Sequence, residues 1–384
     1  MSNVTIISAD CHAGAQPETY RKYLPTKLHD AYETWWKAFE AEMEERRGTF
    51  FDEEAQDAHE KNESVVAGGI EGEWDPDTRL RELEGDGIAG EVIFPQMAPF
   101  GAGLMQYRTP VDPAQNLEGM RAYNRWLADL CQANPGRRAG IALITIEDLD
   151  VAVKEVHSAK EMGLWGGIML PSGTGDNPYY HDSRYEPLWA VCEELEMPVH
   201  THSGWAFDYG DGPAATAMFI SEVAWFAHRP FTCFLWAGVF ERYPNLKLVM
   251  TEQGCSWILE TLRMFERQYD MPLFKYFHAD LTLRPTEYFQ RQCYIGASML
   301  SPEDCALRDQ VGVDKLMWGS DYPHMEGTWP HTAEKLRATF GTVAENETRA
   351  MLGENALDVF GFDRAAVKEA TAKIGPKLED IATA

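Results

Sequence analysis

Residues Val4 to His12 read VTIISADCH, a short apolar run that closes on two polar side chains, Asp10 and His12. Residues two apart on a strand point to the same side, so both would leave the strand end together. Seven further runs have the same make: EVIFPQ (Glu91 to Gln96), AGIALI (Ala139 to Ile144), WGGIMLP (Trp165 to Pro171), MPVHTH (Met197 to His202), LKLVMTE (Leu246 to Glu252), QCYIGAS (Gln292 to Ser298) and KLMWGSD (Lys315 to Asp321). Each is bounded by Gly, Pro or a polar cluster, which is how a strand buried on both faces reads. Amphipathic stretches lie between them. Leu117 to Ala133 carries Leu117, Met120, Trp126, Leu127 and Leu130 at helical spacing, and Leu149 to Met162 and Glu186 to Leu195 behave alike. Gly163 can end the second of these, and Asp182 or Ser183 can cap the third. Alternating strand and helix patterns imply βαβ units and a parallel sheet. Eight strands favour a closed (β/α)8 TIM barrel over an open sheet, and no G-x-G-x-x-G follows the first strand. A barrel with insertions can take all 384 residues as one domain.

One segment breaks the rhythm. Arg21 to Asp77, between strands one and two, is far longer than an ordinary βα loop. Within it Ala31 to Arg47 reads as a helix carrying Trp35, Trp36, Phe39 and Met43, and is expected to lie over the barrel as a packed insertion, a lid or a subunit contact. The tail from Asp363 reads as a peripheral helix with a frayed end.

The chain carries 34 basic and 61 acidic residues, a net charge of −27. Such a field repels phosphate backbones and anionic lipid, so nucleic-acid and membrane-surface partners are excluded in favour of a small-molecule substrate. The seven cysteines are scattered and never form a C-x-x-C pair, which argues against a disulfide scaffold or zinc ribbon. MSNVTIISADCH has no basic region followed by an apolar stretch, and no run approaches the roughly 18 apolar residues of a membrane span, so a cytoplasmic protein is expected.

Chemistry-bearing side chains gather at the ends of the strand patterns. Asp10 and His12 close the first; the plainer alternative is a turn with a capping Asp. His200 and His202 close the fifth, and two imidazoles in an apolar strand are costly unless paired or ligated. His202 lies nearer the strand end and is the better ligand. His200 would sit one layer deeper, as a hydrogen-bonded core histidine or a substrate contact. Glu252 closes the sixth, as a base, a substrate ligand or a structural partner. Asp321 closes the eighth, followed by Pro323 and His324; an Asx-turn before the proline is the alternative. In a barrel these ends converge, and carboxylates at the C-terminal ends of barrel strands read as catalytic. Two imidazoles and two carboxylates, His12, His202, Asp10 and Asp321, suit one divalent metal: zinc first, with manganese or iron as alternatives.

The segments ISADCH, RLRELEGDGIAGEVIFP, NRWLADLCQANPGR, PVHTHSG, FERYPNLKLVMTEQG, MWGSDYPH and GENALDVFGF give the chain its resemblance, from about Val4 to Phe362, to the amidohydrolase-related branch of the amidohydrolase superfamily. That branch includes aminocarboxymuconate-semialdehyde decarboxylase, γ-resorcylate decarboxylase and many hydrolases. The resemblance implies a (β/α)8 barrel with one catalytic metal, held by Asp10 and His12, by His202 and by Asp321, and a dimer. The decarboxylases carry a strand-six histidine where this chain has Glu252.

The leading expectation is therefore hydrolysis of an amide, lactone or similar bond. Asp321 would take the proton of a metal-activated water, Glu252 and His324 would assist, and His200 and Trp205 would contact substrate. The second expectation is non-oxidative decarboxylation, or the reverse carboxylation, of an aromatic or enoic acid. The third is an inactive barrel used for binding.

Overall fold

Eight parallel strands follow one another around the sheet in chain order, β1 Ile7–Ala13, β2 Gly90–Pro95, β3 Arg138–Leu143, β4 Gly167–Met169, β5 Val199–His202, β6 Leu248–Thr251, β7 Cys293–Ser298 and β8 Leu316–Gly319. The structure, a computed structural model, describes residues 3–50, 61–66, 71–102, 109, 111–278 and 280–382. The barrel closes through the segment after β8. Asp321 N–H donates to the Asp10 carbonyl at 2.9 Å, and His12 N–H donates to the Tyr322 carbonyl at 2.7 Å. Gly319 makes that approach possible, because a Cβ there would lie 2.6 Å from the Asp10 Cβ.

The strands fall where the apolar runs predict, with one shift. β1 begins at Ile7 rather than Val4, and it runs through Asp10 and His12 to Ala13. Val4 N–H is taken by the Pro376 carbonyl of the C-terminal tail, while β2 and the segment after β8 supply partners beyond residue 10. Asp10 and His12 are thus inside the strand. Glu252 and Asp321 lie just past theirs.

Between the strands run helices Pro113–Gln132, Leu149–Glu161, Glu186–Glu194, Pro213–Trp236, Ser256–Asp270 and Pro285–Gln292. Their starts are written in the sequence. Asp112 accepts from the N–H groups of Ala114 and Gln115, and Asp148 from Val151; such caps contribute about 1 kcal/mol each. Asp182 caps the short turn Ser183–Tyr185, which leads directly into Glu186–Glu194. Gly163 takes the left-handed conformation just past Leu149–Glu161. No described helix is long and apolar enough to cross a membrane.

The insertion contains the helix His29–Phe50. Trp35 and Phe39 are buried and stacked at 5.2 Å, and Tyr32 meets Phe100, in the loop after β2, edge-on at 5.6 Å. The helix is therefore packed on the barrel's C-terminal side. Residues 51–60 and 67–70 of the insertion lie outside the described residues. The tail differs from expectation. Asp363 caps Arg364–Ile374, and a further turn, Leu378–Ile381, buries Ile381 and presents the Asp380 carbonyl to Arg337 Nε, so the chain stays docked to Ala382.

Candidate active site

β1 and β5 deliver three side chains to one buried point. Asp10 Oδ1 lies 3.4 Å from His12 Nε2 and 3.4 Å from His202 Nε2, and all three residues are buried. Asp321 enters from the β8 end, its Oδ1 3.3 Å from His12 Nε2 and 2.9 Å from His324 Nδ1. The His324 ring lies stacked on that of His12 at 4.1 Å. Both Asp321 and Glu252 hold a left-handed backbone (φ 58° each), uncommon without glycine and worth about 1–3 kcal/mol of strain. The surroundings enforce it: Asp321 N–H is fixed in the closing contact with β1, and the Glu252 carbonyl accepts from Ser203 Oγ at 2.7 Å.

Outer contacts decide which atoms face inward. His202 Nδ1 donates to the Ser203 carbonyl at 2.8 Å and sits 3.1 Å from Glu252 Oε2, so its Nε2 lone pair turns to Asp10. His324 Nε2 donates to Gln96 Oε1 at 2.9 Å, which leaves Nδ1 toward Asp321. Ser298 Oγ donates to Asp10 Oδ2. Against this, His12 Nε2, both Asp321 oxygens and His324 Nδ1 are buried with no aligned hydrogen bond. Lone pairs of two carboxylates and three imidazoles thus point at one another. Buried polar atoms without partners are rare, and here they need a positive charge between them. Asp10, His12 and His202 can offer ligand atoms within 4.8 Å of one another, and so can His12, Asp321 and His324. The donor set fits a divalent transition metal.

The electrostatics carry the same imbalance. Burial opposes charge on His12, yet Asp10 and Asp321 raise its pKa to about 10. Burial opposes charge on Asp10 too, and the neighbouring His202 and His12 hold it well below the usual carboxylate range. Asp321 is likewise lowered, against its burial, by His12 and His324. Burial raises Glu252, with Asp10 and Asp321 adding to the rise and His202 opposing it.

The remaining expected residues divide. Trp205 stands beyond β5 against Phe226 (4.8 Å) and Phe207 (5.6 Å), and a Cβ on Gly173 would lie 2.3 Å from its ring. His200 is not brought to the mouth. It lies one layer down, stacked on Phe360 at 5.6 Å and bonded through Nε2 to the Gly166 carbonyl at 2.9 Å, and burial lowers its pKa to about 4. Its expected substrate contact is corrected to a neutral core histidine, because an inward side chain two residues before a strand end sits in the next layer of the barrel. Three groups escaped the sequence reading. Gln96 and Ser298 close β2 and the β7 run, where the same end-of-strand rule would have found them. Glu73, on the short turn Glu71–Glu73 of the insertion, brings its Oε1 to 3.2 Å from where a Gly14 Cβ would be, and burial pushes its pKa up to about 6. No periodicity marks it.

The sequence pattern of the amidohydrolase family matches residues 10–362. The chain belongs to that family. Among curated relatives, a 2-amino-3-carboxymuconate-6-semialdehyde decarboxylase of Dictyostelium discoideum is 26% identical over 306 residues, covering 76% of this chain and 77% of its own. A γ-resorcylate decarboxylase of a Polaromonas strain is 23% identical over 319 residues, covering 75% and 88%. The solved structure of a 5-carboxyvanillate decarboxylase from Novosphingobium aromaticivorans, complexed with manganese and a nitrobenzoic acid, shares the fold with a TM-score of 0.66 and 17% identity over 93% of this chain and 96% of that one.

Proposed function

We propose that this amidohydrolase-family protein is a metal-dependent, non-oxidative decarboxylase of an aromatic or conjugated carboxylic acid, with Asp10, His12, His202 and Asp321 holding one divalent cation. The observation that carries this reading is the set of unpaired, mutually facing lone pairs buried at the barrel mouth. The relatives named above, which are decarboxylases, favour it over hydrolysis. Manganese, present in one of the related structures, stands beside zinc as the candidate. When bound, the cation polarises the oxygens of the substrate and neutralises charge that develops on them.

The protein's own groups do the rest. Glu252 and the Ser203 carbonyl fix the His202 ring through Nδ1, the outer-contact pattern of ligating histidines. Gln96 fixes His324 in the tautomer that carries its proton on Nε2. In the net reaction the bond between the substrate carbon and its carboxyl carbon breaks, CO2 leaves, and a proton takes its place on the carbon. Asp321 Oδ1 and His324 Nδ1, 2.9 Å apart, form the pair that can hold that proton between them. The hydrolytic expectation leaned on Glu252 as a group facing substrate; its Oε2 lies 3.1 Å from His202 Nδ1, and its carboxylate also stands within 4.8 Å of ligand atoms of Asp321 and His324.

Manganese-loaded protein incubated with hydroxybenzoates, conjugated enoic acids, lactones and amides tests the reading by mass spectrometry of the products. CO2 loss from an acid is the expected result. Water addition to an amide or lactone, with every acid left intact, overturns it.

A further inference from the structure

Outside the inner ligands the mouth carries a second group of ligating atoms. Glu252, just past β6, and Asp321, His324 and Glu326, all past β8, each offer one such atom, and the four atoms lie within 4.8 Å of one another. Side-chain exposure rises outward through the group, from 0% at Asp321 to 23% at His324 and 27% at Glu252, and Glu326 is exposed. Asp10, His12 and His202 are all buried, so the four residues stand on the solvent side of them.

Exposed carboxylates alone would not make a site, and here the buried end of the group is what calls for an ion. Both Asp321 oxygens and His324 Nδ1 are buried and have no aligned hydrogen bond. Asp321 Oδ1 lies between two ring nitrogens, 3.3 Å from His12 Nε2 and 2.9 Å from His324 Nδ1. His324 Nε2 donates to Gln96 Oε1, so Nδ1 presents a lone pair to Asp321. An ionised carboxylate has about four lone-pair sites, so a cation on the His12 side leaves Asp321 able to bind another on the His324 side. Charge points the same way. Asp10, Asp321, Glu252 and Glu326 bring four negative charges, and one divalent cation offsets two of them. Among the described residues no lysine or arginine pairs with any of the four. The charge left over favours a second divalent cation, and an imidazole among three carboxylates suits zinc above magnesium or calcium. Contact with water and repulsion from the first ion make this site the weaker of the two.

We propose that Glu252, Asp321, His324 and Glu326 form a second, weaker zinc site whose occupation switches the enzyme off. An ion there takes His324 Nδ1 and an Asp321 oxygen, the atoms that hold the proton destined for the substrate carbon. The proposal rests on the decarboxylase reading only for what the second ion blocks. Metal-stripped protein titrated with zinc in a calorimeter, over a constant magnesium background that covers the acidic surface, tests the site itself. Wild-type protein should take up two zinc ions per chain, one tightly and one more weakly. Glu326 is exposed and no part of the proton pair, so Glu326→Gln should keep the fold, the tight ion and the turnover at low zinc. Its affinity for the second ion should fall by at least about 10-fold, the lower end of what losing an outer partner of a ligand costs. With the acid found by the product screen, wild-type turnover should drop as the second ion binds. The zinc concentration that halves it should rise by a similar factor in Glu326→Gln. Uptake of one zinc per chain overturns the proposal, and so does a second ion that binds Glu326→Gln unchanged or a tight ion lost in that variant. Turnover that stays level or rises as the second ion binds also overturns it. A chain that takes two ions but releases CO2 from no acid refutes the decarboxylase reading and not the site, so the two fail separately.

Discussion

Glu252 closes an apolar strand at the same end as the proposed metal ligands; its carboxylate lies 3.1 Å from His202 Nδ1 and also within 4.8 Å of ligand atoms of Asp321 and His324. Through the first contact it acts on the cation by way of the histidine it orients. Glu252→Gln should therefore keep the fold and weaken manganese affinity by roughly 10–100-fold, as loss of an outer partner of a ligating histidine does. Equilibrium dialysis measures it. Unchanged affinity with collapsed turnover would put Glu252 on the substrate instead. Gln96 makes the complementary case. It reaches His324 Nε2 and not a ligand, so Gln96→Ala should leave metal content intact and lower kcat, again by roughly 10–100-fold, as the ring loses its fixed tautomer. Wild-type kcat in that variant would remove His324 from the proton pair. The sequence shows Glu252 and Gln96 only as polar ends of apolar runs. What each touches depends on the positive φ at Glu252 and on the crossing of β8 over β1, and neither leaves a trace in local spacing.

At the scale of elements, the eight strands were legible because a barrel strand is buried on both faces and shows as an unbroken apolar run. The same logic leaves one residue unexplained. Glu91 opens the run EVIFPQ and lies inside β2, fully enclosed, between Arg79 of the helix Pro76–Gly85 and Arg138 of β3. Arg79 Nε donates to both Glu91 oxygens at 3.0 and 2.9 Å, and Arg138 Nε donates to one at 3.0 Å. Arg79 Nη1 also donates to the carbonyls of His12 at 2.8 Å and Gly72 at 3.1 Å, tying the base of the insertion to the metal strand. A charge inside a strand cannot be told from a charge bounding one until its partners, which come from other elements, are known. Glu91→Gln should cost about 3–5 kcal/mol of stability, because it leaves two buried guanidinium groups with no full counter-charge. Urea unfolding midpoints read it, and a loss under about 1 kcal/mol would contradict the account. The pH dependence has a definite sign. Burial opposes charge on Glu91, but Arg79 and Arg138 outweigh it and lower its pKa, so its contribution is present above the ordinary glutamate range. That contribution is lost as pH falls through the depressed value, and the Glu91→Gln variant should lack this part of the acid sensitivity.

Taken as a whole molecule, the chain joins a net charge of −27 to a barrel mouth where carboxylates crowd unpaired imidazoles. Both features favour a bound cation, one by long-range attraction and one by direct contact, and only the second is specific. A cation that binds the folded chain and not the unfolded one stabilises it by mass action, about 2.7 kcal/mol at a free concentration one hundred times its Kd. Thermal unfolding of the metal-stripped protein with increasing manganese should show a rising Tm that continues to climb logarithmically past saturation. Magnesium at the same ionic strength supplies the control for general screening, since it prefers oxygen ligands and keeps its waters. His202→Ala removes one imidazole from the mouth while leaving the barrel core untouched, so its stripped form should unfold near the stripped wild-type temperature. Its manganese-dependent rise should be largely gone. A full rise in His202→Ala would show that the stabilising cation sits elsewhere on this acidic surface, and the ligand set Asp10, His12, His202 and Asp321 would have to be redrawn.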